Sequence, residues 1–242
     1  MTDLHTHCLP SIDDGAKDLE ESLALLRDSF AQGVALCAAT PHCVLRGQED
    51  LETFLNRREG SFRLLMDAAQ REGSPIPAVI LGAEVYLDHD INRYEGVERL
   101  CMEDSSAMLL EFPVEKYNPQ YAEWIDSLCL KGIVPVIAHV DRYDWRERLF
   151  ADLSGVNAAY QINASRFLDF SGRRLVKNLL KKDLFFFVSS DMHRLKARPC
   201  NMRKAFLEAR KRYQDSADSL FDANARRLLE RGESHTGLKR FD

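Results

Sequence analysis

Short apolar runs alternate with amphipathic stretches along the whole chain, and the alternation is regular enough to assign elements. An opening strand leads to His5 and His7. Asp18-Leu19-Glu20-Glu21 then reads as an N-cap with a capping-box acid, Leu23, Leu26 and Phe30 supply a helical stripe, and Gly33 stops the helix. A strand is predicted over Val34 to Thr40. A long amphipathic helix comes next over Leu51 to Glu72, ended by Gly73, and the loop from Ser74 to Pro77 leads into a strand over Ala78 to Gly82. Further strands are expected at Ala107 to Leu110, Ile133 to Ala138, Ala159 to Asn163 and Leu184 to Ser189. Helices are expected at Tyr121 to Lys131, Trp145 to Asp152 and Gly172 to Lys182. The region from Asn201 to Arg231 has helical spacing, and Glu233 to Asp242 reads as a solvated terminus.

Strands separated by helices, with no hairpin turn between consecutive strands, imply a parallel sheet in an α/β fold. Seven strands whose ends carry polar residues of one chemical kind favour a closed or nearly closed barrel, because a barrel gathers all its strand ends on one rim. An open sheet would concentrate ligands near one switch point. A single domain over residues 1–242 is expected, since 242 residues lie within the usual size of a barrel.

Acidic and basic residues nearly balance, with a net charge of -5 and no long basic block, so nucleic acid is not an expected partner. No apolar run approaches the length of a membrane span, and the Met1-Thr2-Asp3 start lacks the features of a leader, so a cytoplasmic location is expected. The six cysteines, at 8, 37, 43, 101, 129 and 200, form no CxxC pair and read as reduced packing residues. His89 and His235 read as solvated surface.

The chemistry lies just beyond each apolar run. His5 and His7 sit two apart, so on a strand end both imidazoles face one side and can chelate one ion. Asp13-Asp14-Gly15 occupies the first loop, where the acids suit a turn or a helix cap, and one of the two aspartates is expected to be a ligand. His42, Glu84, Glu111, His139, Asp191 and His193 each come just after an apolar run. A carboxylate at a buried strand end costs several kcal/mol unless it is paired or bound to a cation, and Glu111 stands between Leu110 and Phe112. Nine candidate ligands exceed one tetrahedral site and suit two or three divalent ions, and imidazole with carboxylate fits manganese, iron or zinc.

These motifs, in this order, resemble the polymerase-and-histidinol-phosphatase (PHP) superfamily, and within it the bacterial manganese-dependent protein-tyrosine phosphatases of capsular and extracellular polysaccharide synthesis. The resemblance runs from Asp3-Leu4-His5-Thr6-His7 to Ser189-Ser190-Asp191-Met192-His193, through Thr40-Pro41-His42, Gly82-Ala83-Glu84, Leu110-Glu111-Phe112 and Ile137 to Tyr143. It implies a distorted seven-stranded (β/α)7 TIM-like barrel and a trinuclear site with manganese as the first choice of metal. One ion would take His5, His7, Glu111 and Asp191, a second Glu84, a bridging Glu111 and His139, and a third Asp14, His42 and His193. The implied partner is a phosphotyrosine-bearing protein, a tyrosine kinase of polysaccharide synthesis. The chain departs from the branch in Cys8 and Cys43 beside ligands and in few basic residues after His42.

Clustered divalent ions neutralise a phosphoryl group and lower the pKa of a bridging water, so hydroxide is available to attack near neutral pH. Arg142 and Arg198, three and five residues beyond ligands, carry the fixed charge suited to clamping phosphoryl oxygens. Cysteine-based phosphatase chemistry is excluded, since no cysteine has Arg six residues on. An amidohydrolase would commonly place a lysine where this chain has Glu111. Histidinol-phosphate phosphatase is the nearest enzymatic rival, and a non-catalytic metal-binding protein is the rival from another class.

Overall fold

The computed structural model describes residues 1–182, 184–214 and 216–230, so the stretch read as a solvated terminus, with His235, lies outside the described residues. The elements in chain order are β1 (Thr2–Thr6), α1 (Leu19–Ala31), β2 (Leu36–Ala39), β3 (His42–Cys43), α2 (Gln48–Glu72), β4 (Ala78–Leu81), β5 (Glu84–Tyr86), β6 (Ala107–Glu111), α3 (Tyr121–Leu130), β7 (Val134–Ile137), α4 (Arg146–Asp152), β8 (Ala159–Asn163), α5 (Phe170–Leu179), β9 (Phe185–Ser189) and α6 (Met202–Tyr213). The short α7 (Ser216–Asp218) then passes through a π turn into α8 (Asn224–Glu230).

Local signals account for the helix limits. The Asp18 side chain caps α1 by accepting from the Glu21 amide, and Gly73 ends α2 in the left-handed conformation at φ 62°. One detail of the α1 stripe differs. Phe30 is 44% exposed, and the helix instead buries Leu23, Leu25 and Leu26 with the small hydroxyls of Ser22 and Ser29.

Among the described residues every ladder between strands is parallel, but seven expected strands become nine in two sheets, of order β1-β2-β4 and β3-β5-β6-β7-β8-β9. The expected closed ring does not form as one continuous sheet among the described residues, and the reason is local. Pro41 has no N–H to give a ladder, so the run from Val34 breaks there, and its neighbour breaks at Gly82-Ala83 in matching register. The breaks interlock: the Gly82 amide donates to Ala39 O at 2.9 Å and the Glu84 amide to Pro41 O at 3.0 Å. Space at this crossing is short, since a Cβ on Gly82 would meet Thr40 Cγ2 at 3.1 Å and Met102 Cγ at 3.3 Å.

Across the other seam, β1 faces β9 without a regular ladder. Side chains complete it: the Leu4 amide donates to Ser189 Oγ and the Ser190 amide to Asp3 Oδ1, both at 2.9 Å. The Asp191 amide donates to His5 O and the His7 amide to Met192 O, also at 2.9 Å.

Alternation along the strands sorts apolar from polar positions. Ala107 and Leu109 of β6, Ala159 of β8, and Phe185 and Phe187 of β9 share a buried cluster with Leu4, Val136 and Ala138, which α8 completes with Ala225 and Leu228. Advancing β6 and β8 in steps of two from these positions reaches Glu111, Gln161 and Asn163, so the packed layer gives way to polar groups on the same face. A larger apolar cluster takes in the buried sides of the helices.

Candidate metal centre

The two imidazoles of the opening strand meet almost head-on. His5 and His7 are fully buried and their Nε2 atoms lie 3.2 Å apart. His7 is held from behind, with Nδ1 donating to Asp13 Oδ2 at 2.7 Å. Asp13 in turn accepts from the amides of Gly15 at 2.9 Å and His42 at 3.0 Å. Only glycine fits at position 15, where a Cβ would lie 2.2 Å from the His7 carbonyl oxygen.

Glu84 occupies the centre. Its Oε1 lies 3.2 Å from His5 Nε2 and 2.9 Å from His139 Nε2, and its Oε2 lies 3.2 Å from His7 Nε2 and 2.9 Å from His42 Nδ1. Four imidazoles surround one carboxylate that is 1% exposed. Glu111 stands to one side, 3.4 Å from His139 Nε2 and 3.7 Å from His42 Nδ1. Asp191 Oδ1 is 3.5 Å from His5 Nε2 and 3.7 Å from His7 Nε2. Asp14 Oδ1 is 3.3 Å from His42 Nε2 and 3.4 Å from His193 Nε2. Asp13 and Asp14 thus part ways, one toward the back of His7 and the other toward His42 and His193.

All nine sequence-derived ligand positions come together in this region, though not all from where they are expected. His42 and Glu84 do not follow strands but open β3 and β5, because the runs before them break; in the ladder they are direct neighbours. Glu111 is the last residue of β6 itself. Donor atoms lie within 4.8 Å of one another in three groups: His7, Asp14, His42 and His193; His5, His7 and Glu84; and His42, Glu84 and Glu111. Glu84, not Glu111, accompanies His5 and His7 in this arrangement.

The charges explain the packing. Burial opposes charging His5, but the Glu84 and Asp191 carboxylates outweigh it and lift its pKa to about 10. His42 is lifted to about 9 against its burial by Glu84 and then Glu111. Burial also works against ionising Glu84, yet His5, His139 and His42 hold it well below the usual carboxylate range. His193 goes the other way, depressed to about 4 by burial and by neighbouring His7 and Arg198. Even so, the buried Glu84 Oε2 and Asp191 Oδ1 have no hydrogen-bond partner. Carboxylate oxygens facing ring nitrogens at 2.9–3.7 Å form a donor set that divalent cations satisfy.

Arg142 and Arg198 lie at the edge, each 41% exposed. Arg142 Nη1 is 3.8 Å from Glu111 Oε1, and Arg198 Nη1 donates toward His193 Nε2 at 3.0 Å while its Nη2 pairs with Asp191 Oδ2. Burial pushes the Cys8 and Cys43 thiols up to about 12, so they remain protonated packing groups. His89 is half-buried rather than solvated, with Nδ1 2.7 Å from Asp88 Oδ1 and Nε2 3.1 Å from the Tyr94 hydroxyl.

Asp13, which the sequence offers beside Asp14 as an alternative ligand, instead supports His7 from behind. Gln161 escapes sequence reasoning, since it carries no ligand chemistry, although alternation along β8 does place it on the inner face. Gln161 is fully buried, with Oε1 3.2 Å from His5 Nδ1 and also accepting from the His139 amide.

Comparison with known proteins bears on this constellation. Residues 1–230 match the family model described as capsular polysaccharide synthesis, CpsB/CapC. Tyrosine-protein phosphatase CpsB of Streptococcus pneumoniae is 31% identical over 242 residues, covering 95% of this chain and 98% of that protein. Tyrosine-protein phosphatase YwqE of Bacillus subtilis strain 168 is 30% identical over 243 residues, covering 95% and 91%. Among solved structures, one from the work on YwqE of Bacillus subtilis and CpsB of Streptococcus pneumoniae, described as unique metal-dependent tyrosine phosphatases, superposes with a TM-score of 0.81 at 27% identity, over 95% of this chain and 94% of that one.

Proposed function

This chain belongs to the CpsB/CapC family of capsular polysaccharide synthesis, and from that membership we propose that it is a metal-dependent protein-tyrosine phosphatase, a phosphoric monoester hydrolase. The observation that carries the reading is the buried Glu84 carboxylate ringed by His5, His7, His42 and His139, with Asp191 and Glu111 beside it. Curated relatives matched over nearly their full length are tyrosine phosphatases, which favours that substrate class over histidinol phosphate.

His5, His7, Asp14, His42, Glu84, Glu111, His139, Asp191 and His193 would hold two or three divalent ions, manganese before iron or zinc. Bound divalent cations neutralise phosphoryl charge and acidify water. Asp13 holds His7 in place from the far ring nitrogen. Arg142 and Arg198, half-exposed at the edge, are free to turn one face of the guanidinium toward phosphoryl oxygens while the other stays near Glu111 or Asp191. The phenolate of tyrosine, with a pKa of about 10, departs with little help from a general acid. That accords with an arrangement in which no cysteine need act as nucleophile.

The finer architecture follows the same reading. We take the two sheets as arcs of one distorted (β/α)7 barrel, supported by the bonds that cross the seam between β1 and β9. The partner is a phosphotyrosine protein, a kinase of polysaccharide synthesis. The free cysteines suit a reducing compartment, the cytoplasm, and no helix among the described residues is long and apolar enough to cross a membrane.

The deciding experiment is a metal-resolved screen of hydrolysis on a phosphotyrosine peptide and on histidinol phosphate. Preference for the peptide with manganese present, abolished by chelation, is the expected result. Preference for histidinol phosphate would overturn the substrate class, and no hydrolysis of any aryl phosphate by the metal-loaded protein would overturn the enzyme.

A further inference from the structure

A single amide oxygen of β8 touches two of the proposed ligands. Gln161 Oε1 lies 3.2 Å from His5 Nδ1 and accepts the backbone N–H of His139, so it joins the ends of β1 and β7. Gln161 is fully buried, and both partners are 0% exposed. At the other end of the amide, Nε2 donates to Asn163 Oδ1 at 3.0 Å. The backbone N–H of Asn163 donates to Asp141 Oδ1 at 2.9 Å, and the backbone N–H of His139, which can only donate, meets the same Gln161 atom that faces His5. The atom facing His5 must therefore be oxygen, which only accepts, with the nitrogen left to donate to Asn163. His5 Nδ1 must then carry a proton, so that the proton an incoming cation displaces is the one on Nε2, the nitrogen turned toward His7 Nε2, Glu84 and Asp191.

The second contact acts on the backbone. His139 adopts φ 30°, a left-handed conformation that costs energy for a residue with a β-carbon. Its amide has Gln161 Oε1 as partner, and the adjoining turn, over Val140–Arg142, directs the chain toward Arg142. An apolar residue at 161 would leave this buried N–H without that acceptor while freeing the His5 ring to take the other tautomer.

We infer that Gln161 is a positioning residue of the metal centre, selecting the Nδ1–H tautomer of His5 and holding the His139 turn, so that one side chain sets ligands on two strands. This rests on the reading of His5 and His139 as ligands, and it is tested by metal affinity and ring protonation, separately from hydrolysis. Loss of such an orienting partner typically costs 10- to 100-fold in metal affinity.

Gln161→Met keeps the volume but removes the acceptor, whereas Gln161→Glu keeps an acceptor in place. The expected result is zinc and manganese affinity reduced about 10- to 100-fold in Gln161→Met and restored for the most part in Gln161→Glu, both measured by competition with a chelating dye. His5→Ala serves as the control: undiminished affinity there would overturn the ligand reading itself. Loss in His5→Ala with wild-type affinity in Gln161→Met would overturn the role of Gln161 alone. The wild-type protein gives an answer that does not depend on any variant folding. In the zinc-loaded form, nitrogen-detected NMR should show His5 with a proton on Nδ1 and metal on Nε2, and metal on Nδ1 would refute the inference.

Discussion

Asp13 lies 2.7 Å behind His7, on the ring nitrogen turned away from the cluster, while the next residue along faces His42 and His193. Adjacent acids in one loop therefore have separate duties, and substitutions should separate them. Asp13→Asn retains an oxygen for the His7 N–H and should weaken metal binding only modestly. Asp13→Ala removes that oxygen and should weaken it by roughly 10- to 100-fold. Asp14→Ala should lower the number of bound ions by one while the others stay tight. Elemental analysis with chelator titration reads all three, and full stoichiometry in Asp14→Ala would exclude it as a ligand.

Glu84 is the carboxylate on which the cluster depends most. Glu84→Ala leaves four crowded imidazoles without their counter-charge, and by analogy with other broken buried pairs the metal-free protein should lose about 3–5 kcal/mol. Denaturant melts of the two metal-free proteins measure this, and equal midpoints would contradict it. Glu111→Ala, further from the centre, should stay folded but lose metal and at least about 100-fold in rate.

Arg142 and Arg198 should behave differently from the ligands. Alanine at either position should leave metal content intact and impair turnover of a phosphotyrosine peptide. If the guanidinium contacts strengthen in the transition state, kcat falls, and if they bind ground and transition states alike, only KM rises. Unchanged kcat and KM in both variants would remove the arginines from the site.

Metal loading should release protons. His5 and His42, lifted to about 10 and about 9, are charged at neutral pH in the metal-free protein, and a cation needs their lone pairs. Because these folded values exceed the ordinary 6.5, their stabilisation is complete below about pH 6.5 and is lost as the pH rises toward 9 and 10. The metal-free protein should thus melt lower as pH rises across that window, while metal affinity increases. Calorimetry at pH 7.5 in buffers of differing ionisation enthalpy counts the protons, and a count of zero would refute this account.

Much of this molecule is legible in its sequence because its strands end where their chemistry begins. Helix limits are set by Asp18 and Gly73, and the ligand types from His5 through His193 stand out against apolar runs. The breaks at Pro41 and Gly82 are harder to foresee. Each lies inside or just beyond an apolar run, and only pairing with a neighbour shows that β3 and β5 form a different sheet from β2 and β4. The central place of Glu84 is equally hidden, since Glu84 and Glu111 offer the same carboxylate and spacing along a chain does not rank them. Gln161 escapes notice for a chemical reason: an amide that orients a ligand has no signature of its own.

The distribution of the proposed ligands from His5 on the first strand to His193 beyond the last has a biosynthetic consequence. At about 5–20 residues per second, the opening imidazoles leave the ribosome some 10 to 40 seconds before the closing ones. During that interval no nascent chain can present the complete donor set, and an ion captured early has only a partial site to hold it. Metal occupancy in the cell should therefore report finished molecules, and premature termination anywhere before residue 193 should yield a polypeptide that competes poorly for scarce metal ions.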